Sequence, residues 1–230
     1  MKKCLIAILI FVLYMQSAFA EVSSEVRCPT QPKSQHNINQ IFFSFTPKKA
    51  NLYSYLPKNL VLVDSQYLKN GPRCLTSQTY NAFVLMNDAL KIETGQSLVV
   101  SSAWRSPKTQ MYFAKNRGEF AAVPGRSEHQ LGTTMDLDIL GAKEEDYFGD
   151  STTYKWMLLY AKKYGFVQSF NAEGEVVTGI PNEPWHWRFV GKSIATKVTD
   201  ENININQYLY ERAEAKKKGL ICRFILPNSC

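Results

Sequence analysis

The segment TTMDLDIL, from Thr133 to Leu140, constrains the fold more than any other stretch of the chain. Asp136 and Asp138 alternate with Leu137 and Ile139. A period of two puts both carboxylates on one face of a strand and both aliphatic side chains on the other. Around this strand the other elements fall into place. In SQTYNAFVLMNDALKIETG the apolar residues Phe83, Met86 and Leu90 recur at helical spacing and Gly95 supplies a stop, which predicts a helix from about Ser77 to Thr94. SLVVSSAW reads as a short buried strand. SPKTQMYFAKNRG starts a helix with Ser106 as cap, Pro107 at its first position and Gly118 beyond its end.

Later, STTYKWMLLYAKKYG is an amphipathic helix ending at Gly165. FVQSF and EPWHWRFV follow as strands on either side of a turn around Ala172 to Glu175, and Gln207 to Lys218 is a helix stopped by Gly219. This order predicts an α+β fold, a single domain with a mainly antiparallel sheet and flanking helices. A doubly wound parallel sheet is the alternative, weakened because no glycine-rich phosphate loop follows any strand.

The first twenty residues, MKKCLIAILIFVLYMQSAFA, have the basic tip, apolar run and small-residue Ala18-Phe19-Ala20 site of a secretory signal peptide. The apolar run is shorter than the roughly 20 residues that span a bilayer. The expected organisation is a signal peptide over 1–20, an N-terminal arm over 21–59, a core over 60–191 and a C-terminal helix and tail over 192–230. The expected product is exported, periplasmic rather than secreted, monomeric and without stable membrane insertion after cleavage.

Once Cys4 leaves with the signal, Cys28, Cys74, Cys222 and Cys230 remain, an even number that fits two disulfides in an oxidising compartment. Four cysteines permit three connectivities; the expected one joins Cys28 to Cys74 and Cys222 to Cys230. Without Lys2 and Lys3 the chain carries 25 basic against 20 acidic residues, a modest excess that suits anionic surroundings such as a cell wall. No nucleic-acid partner is expected, because the only basic run is Lys216 to Lys218, at the end of a helix.

Two of the three histidines stand beside acids. His129 and Asp136 precede one long helix; Glu183 and His186 follow it. Two paired strands can bring both imidazoles and one carboxylate together, with a second carboxylate alongside. Two histidines and one carboxylate are a common zinc set that leaves a fourth position for water. Zinc lowers the pKa of such a water from 15.7 towards about 7, and a carboxylate outside the set, here Glu183, can take its proton. On spacing alone, structural histidines and a Glu183–Arg188 ion pair account for the residues equally well.

The segments SSAWRSPKTQ, PGRSEHQLGTTMDLD and YGFVQSF…EPWHWRFVG resemble, in order and separation, the three motif blocks of the VanY-type D-alanyl-D-alanine carboxypeptidases. These zinc peptidases include VanX-type dipeptidases and L,D-carboxypeptidases, and share a fold with hedgehog signalling domains. The resemblance implies Zn2+ held by His129, Asp136 and His186, with Glu183 as catalytic base; Asp138 falls outside the pattern and is the fallback ligand, or a carboxylate holding a ligand histidine. It implies Arg105 at the scissile carbonyl or oxyanion, and Gln110 and Ser127 at the substrate's terminal carboxylate. Trp104 departs from the tyrosine or phenylalanine frequent in the family, and Thr134 from a small residue; both bear on substrate fit.

The function so implied is zinc-dependent removal of a terminal D-alanine from peptidoglycan stem peptides. An L,D-carboxypeptidase or endopeptidase of the same fold is the near alternative. A non-catalytic zinc-bearing module that binds wall peptide is the alternative of another class.

Overall fold

The computed structural model describes residues 27–30, 52–117, 122–143 and 145–217. The signal segment, most of the arm, Gly118, Gly219, Cys222 and Cys230 lie outside the described residues. In chain order the elements are β1 (Leu60–Leu62), β2 (Cys74–Thr76), α1 (Ser77–Thr94), β3 (Leu98–Ser102), α2 (Pro107–Arg117), β4 (Thr134–Ile139), α3 (Thr152–Tyr160), β5 (Phe166–Gln168), α4 (Glu175–Thr178), β6 (His186–Phe189), α5 (Lys192–Asp200) and α6 (Ile205–Lys217). β1 and β2 pair antiparallel as a separate ribbon. The main sheet has the order β3-β4-β6-β5, with every neighbouring pair antiparallel. The α+β expectation holds.

Capping explains the bounds of α1. The Thr76 hydroxyl accepts from the Thr79 N–H, and Gly95 at φ 73° closes the other end, its N–H bonded to the Lys91 carbonyl. Phe83, Met86 and Leu90 of α1 are fully buried and pack on Leu98, Val100, Met135, Leu137, Trp187, Phe189 and Phe166 of the sheet. Each such side chain contributes about 1.5–3 kcal/mol by leaving water.

Met135 lies opposite Trp187 and Asp136 opposite His186. Alternation therefore gives the core one face of β4 and β6, and turns Asp136 and His186 to the other. On that second face Val167 packs with Val190, and Ala195, Val198, Ile205 and Leu209 of α5 and α6 cover them. The part of the face nearer β3 lines a cavity.

The structure adds elements and redraws others. The ribbon β1–β2 and helix α5 were not expected. The predicted long helix is α3 followed by a tighter turn of helix over Ala161–Tyr164, and Gly165 ends it at φ 90°. A Cβ there would come 2.7 Å from the Phe189 ring and 3.0 Å from the Gly191 backbone, so only glycine fits. The turn around Ala172 to Glu175 is helical, a short 3-10 turn over Ala172–Gly174 running into α4.

Cys28 and Cys74 form a disulfide as expected, with Cα atoms 5.9 Å apart, and it ties the arm to β2. Among the described residues no helix is long and apolar enough to cross a membrane.

Candidate metal centre

Three elements bring the predicted donors together. β4 carries Asp136 and β6 carries His186 directly across from it. His129 comes from a 3-10 turn over Glu128–Leu131, rather than from a strand. Gly132 closes that turn at φ 69°, its N–H bonded to the His129 carbonyl. A Cβ on Gly132 would stand 3.0 Å from Leu60 and 3.1 Å from Pro57, so the turn depends on a glycine.

His129 Nε2 lies 3.3 Å from Asp136 Oδ1, and His186 Nδ1 lies 3.2 Å from the same oxygen. All three donor atoms fall within 4.8 Å of one another. A tetrahedral ion with bonds of about 2.0–2.1 Å separates its ligand atoms by about 3.3–3.4 Å. The separations of 3.3 and 3.2 Å fit that geometry.

The outward ring nitrogens are both held. His129 Nδ1 donates to the Ala103 carbonyl at 2.7 Å, which leaves Nε2 as the lone-pair nitrogen facing Asp136. His186 Nε2 donates to Glu128 Oε2 at 3.1 Å, which turns Nδ1 towards Asp136. Such outer partners fix the ring orientation of metal ligands. His129 Nε2 is buried and makes no hydrogen bond among the described residues, and the oxygen it faces, Asp136 Oδ1, is an acceptor that is buried as well. Two buried acceptors facing each other are costly without a cation between them.

Electrostatics agree. Burial, with the nearby Arg105 charge, pushes His129 down to about 4, so it is neutral at physiological pH. For His186 burial acts the same way, but Asp136 and Glu128 outweigh it and push the ring up to about 10. The two histidines share Asp136; they differ because His186 has a second carboxylate and His129 faces a guanidinium. Burial would raise Asp136, yet His129 and His186 hold it well below the usual carboxylate range.

Glu128 was missed by sequence reasoning. It is fully buried, and its Oε1 accepts from Arg188 Nη1 at 3.0 Å while its Oε2 holds His186. Burial pushes its carboxyl up, but Arg188 and His186 win and bring it down to about 2. Glu128 therefore takes two roles expected of others. Arg188 pairs with Glu128 rather than Glu183, and Glu128 rather than Asp138 holds a ligand histidine. Asp138 pairs instead with Lys69 and accepts from its own strand's Ile139 N–H, so neither role suggested for it is filled.

Glu183 stands where the turn before β6 ends, its N–H bonded to the Phe170 carbonyl and its carbonyl to the His186 N–H. Its Oε2 lies 3.4 Å from His186 Nδ1, beside the donor set. Burial raises its pKa, opposed by His186 and Arg105 and aided by Asp136 and Glu128.

Arg105 follows β3, its backbone N–H bonded to the His129 carbonyl and its guanidinium 4.8 Å over the Phe113 ring. Gln110 and Ser127 are buried and line the same cavity of about 1200 Å³ as the donor set and Arg105. Gln110 Nε2 donates to the Ala122 carbonyl at 2.6 Å, which fixes the amide's orientation and leaves Oε1 without a hydrogen-bond partner among the described residues.

Fold and site together define a small α+β protein with a two-histidine, one-carboxylate donor set and an adjoining glutamate in an open groove. The chain belongs to the VanY family of D-alanyl-D-alanine carboxypeptidases, whose model matches residues 72–192. YodJ of Bacillus subtilis, which carries a carboxypeptidase name, is 32% identical over 169 residues, covering 67% of this chain and 62% of its own length. The chain spans less than two thirds of the length of the first curated relatives it matches.

Among solved structures, the LD-carboxypeptidase LdcB superposes with a TM-score of 0.67 at 28% identity, covering 77% of this chain and 91% of that one. A mutant D,D-pentapeptidase VanY from a VanB-type resistance cassette, in complex with Zn(II), superposes with a TM-score of 0.52 at 27% identity, covering 64% and 93%.

Proposed function

We propose that the chain is an exported zinc-dependent carboxypeptidase that removes the terminal D-alanine from peptidoglycan stem peptides. One observation carries the reading: His129 Nε2 and His186 Nδ1 meet Asp136 Oδ1 at 3.3 and 3.2 Å, with Glu183 3.4 Å from the last ligand ring. The zinc-bound VanY structure supports the choice of metal.

Bound there, zinc supplies Lewis acidity that polarises the scissile carbonyl and makes water acidic enough to attack near neutral pH. His129, Asp136 and His186 hold the ion; Ala103 and Glu128 hold the histidines in register. Glu183 accepts the proton of the attacking water and hands it to the departing amine. The Arg105 guanidinium stabilises the negative charge that develops on the carbonyl oxygen. At the Gln110 and Ser127 side of the cavity, the Ser127 hydroxyl and the second N–H of the Gln110 amide receive the terminal carboxylate. The signal segment and the Cys28–Cys74 disulfide support export into an oxidising compartment, which we assign to the periplasm.

A second reading, L,D-carboxypeptidase activity, is favoured by the likeness to LdcB. The metal set does not separate the two, because selectivity lies in the groove walls. Metal content by mass spectrometry, with product analysis on a stem pentapeptide and a tetrapeptide, tests both. The D,D reading expects one zinc per chain and pentapeptide shortened by one alanine, with activity lost to chelator. Cleavage of the tetrapeptide alone transfers the conclusion to the L,D reading. Full activity in metal-free protein overturns both.

A further inference from the structure

The residues that follow β5 touch the site in three places. The Ser169 hydroxyl is among the groups that hold buried Glu128 in its ionised form. The Phe170 ring packs on the His186 imidazole, with centroids 4.4 Å apart. The Phe170 carbonyl accepts the Glu183 N–H at 2.8 Å, and Gln168 Nε2 donates to the same carbonyl at 2.9 Å and to Asn182 Oδ1 at 2.8 Å. The turn that carries Glu183 therefore takes its place from Phe170 on one side and from the His186 N–H on the other.

What fixes this segment comes from the far end of the chain. Asn204 Nδ2 donates to the Ser169 carbonyl at 3.1 Å and to Asn171 Oδ1 at 2.6 Å, and Asn206 Nδ2 donates to the Ser169 carbonyl at 3.1 Å. Both asparagines are buried at the start of α6. Asn204 Oδ1 accepts the Asn206 N–H at 2.9 Å, so one side chain caps the helix and reaches the segment after β5. Ile205 and Leu209 anchor α6 against Val167 and Val190. Capping needs a single side-chain oxygen; it does not need two amide groups converging on one carbonyl. Asn204 and Asn206 lie beyond residues 72–192, the span that the family model matches.

We propose that Asn204 and Asn206 are positioning residues for Glu183. By holding Ser169 and Asn171 they fix the Phe170 carbonyl, and through it the Glu183 backbone and the direction of its carboxylate. The C-terminal helix thereby becomes part of the catalytic apparatus without touching substrate. The inference rests on the carboxypeptidase reading for the role of Glu183 as base. A catalytic group displaced by about 1 Å can lose about 100-fold in rate.

Two variants test it. Asn206→Ala removes one donor to Ser169. Asn204→Asp keeps the cap, because a carboxylate oxygen accepts from the Asn206 N–H as the amide oxygen does, and removes the donors to Ser169 and Asn171. In each, kcat on a stem peptide should fall by about 10–100-fold, with KM within about twofold of wild type and zinc content unchanged. Added to Glu183→Gln, the same substitutions should lower the residual rate by less than about twofold, because nothing is left to position. In the full chain, with and without zinc, the Glu183 amide hydrogen should exchange about tenfold faster while the amides of α1 keep their rates. Wild-type kcat in both variants, an equal loss with and without the Glu183 carboxylate, or wild-type exchange at Glu183 overturns the proposal. If the wild-type chain cleaves neither pentapeptide nor tetrapeptide, the carboxypeptidase reading falls instead, and exchange at Glu183 decides the positioning by itself.

Discussion

Glu128 Oε2 accepts a hydrogen bond of 3.1 Å from His186 Nε2, across 58 positions of sequence. Through it a wholly buried carboxylate orients a metal-facing ring, while Arg188 on the same strand as His186 neutralises that carboxylate. Replacing Glu128 by Gln keeps the shape and removes the charge. Zinc affinity is expected to fall by about 10–100-fold, the usual effect of losing an outer partner of a ligand histidine. Glu128→Ala should in addition cost about 3–5 kcal/mol of stability by stranding the buried Arg188 cation. Chelator competition and denaturant unfolding read the two effects separately.

Glu183 lies outside the three-donor set, so Glu183→Gln should keep metal stoichiometry and lose turnover. The expected drop is about 10²–10⁴-fold in kcat, the range for removing a general base. A variant with full metal and near wild-type hydrolysis would contradict the role given to Glu183.

Ionisation of Glu183, whose pKa burial raises in the metal-free protein, acts in opposite directions on activity and on stability. Its base form is the ionised one, so kcat/KM should climb as pH rises through the pKa that Glu183 has beside the bound ion. For stability the sign reverses. A carboxyl whose folded pKa is raised favours the fold while protonated, and that contribution is lost as pH rises past it. Glu183→Gln should therefore unfold at a higher temperature than wild type at pH 7 when both are metal-free, which scanning calorimetry can measure.

Metal uptake should release protons. The metal-free His186 ring, pushed up to about 10, holds a proton on the nitrogen that must face the ion, while His129, pushed down to about 4, holds none there. Zinc titrations at pH 8 in buffers of different ionisation enthalpy should report about one proton per ion bound. Zero protons would show that His186 is already neutral.

Much of this was legible in the sequence, for reasons that can be named. The helix at Ser77–Thr94 announced itself through Phe83, Met86, Leu90 and Gly95, and the alternation in TTMDLDIL gave both faces of β4. His129, Asp136, His186, Glu183 and Arg105, all named from their motifs, line one cavity. Helix α5 stayed hidden because Gly191 at its start offers no side-chain cap, and Ile194, Thr196, Val198 and Thr199 are β-branched. The three-residue strands β1 and β2 exist only through each other, a long-range pairing that local pattern does not record. Glu128 was invisible for a similar reason. A glutamate beside a histidine reads as surface, and only the fold reveals that Arg188 is waiting beneath it.

The pairing of Asp136 with His186 has a further consequence for how the chain is made. Because the same two strands bury Met135 and Trp187 on their reverse side, sliding one strand past the other by a single residue would expose the core as it dismantled the ligand cage. Correct burial and a competent cage are thus one event. Tight zinc capture by newly made chains would report, without any assay of turnover, that the sheet has zipped in its proper phase.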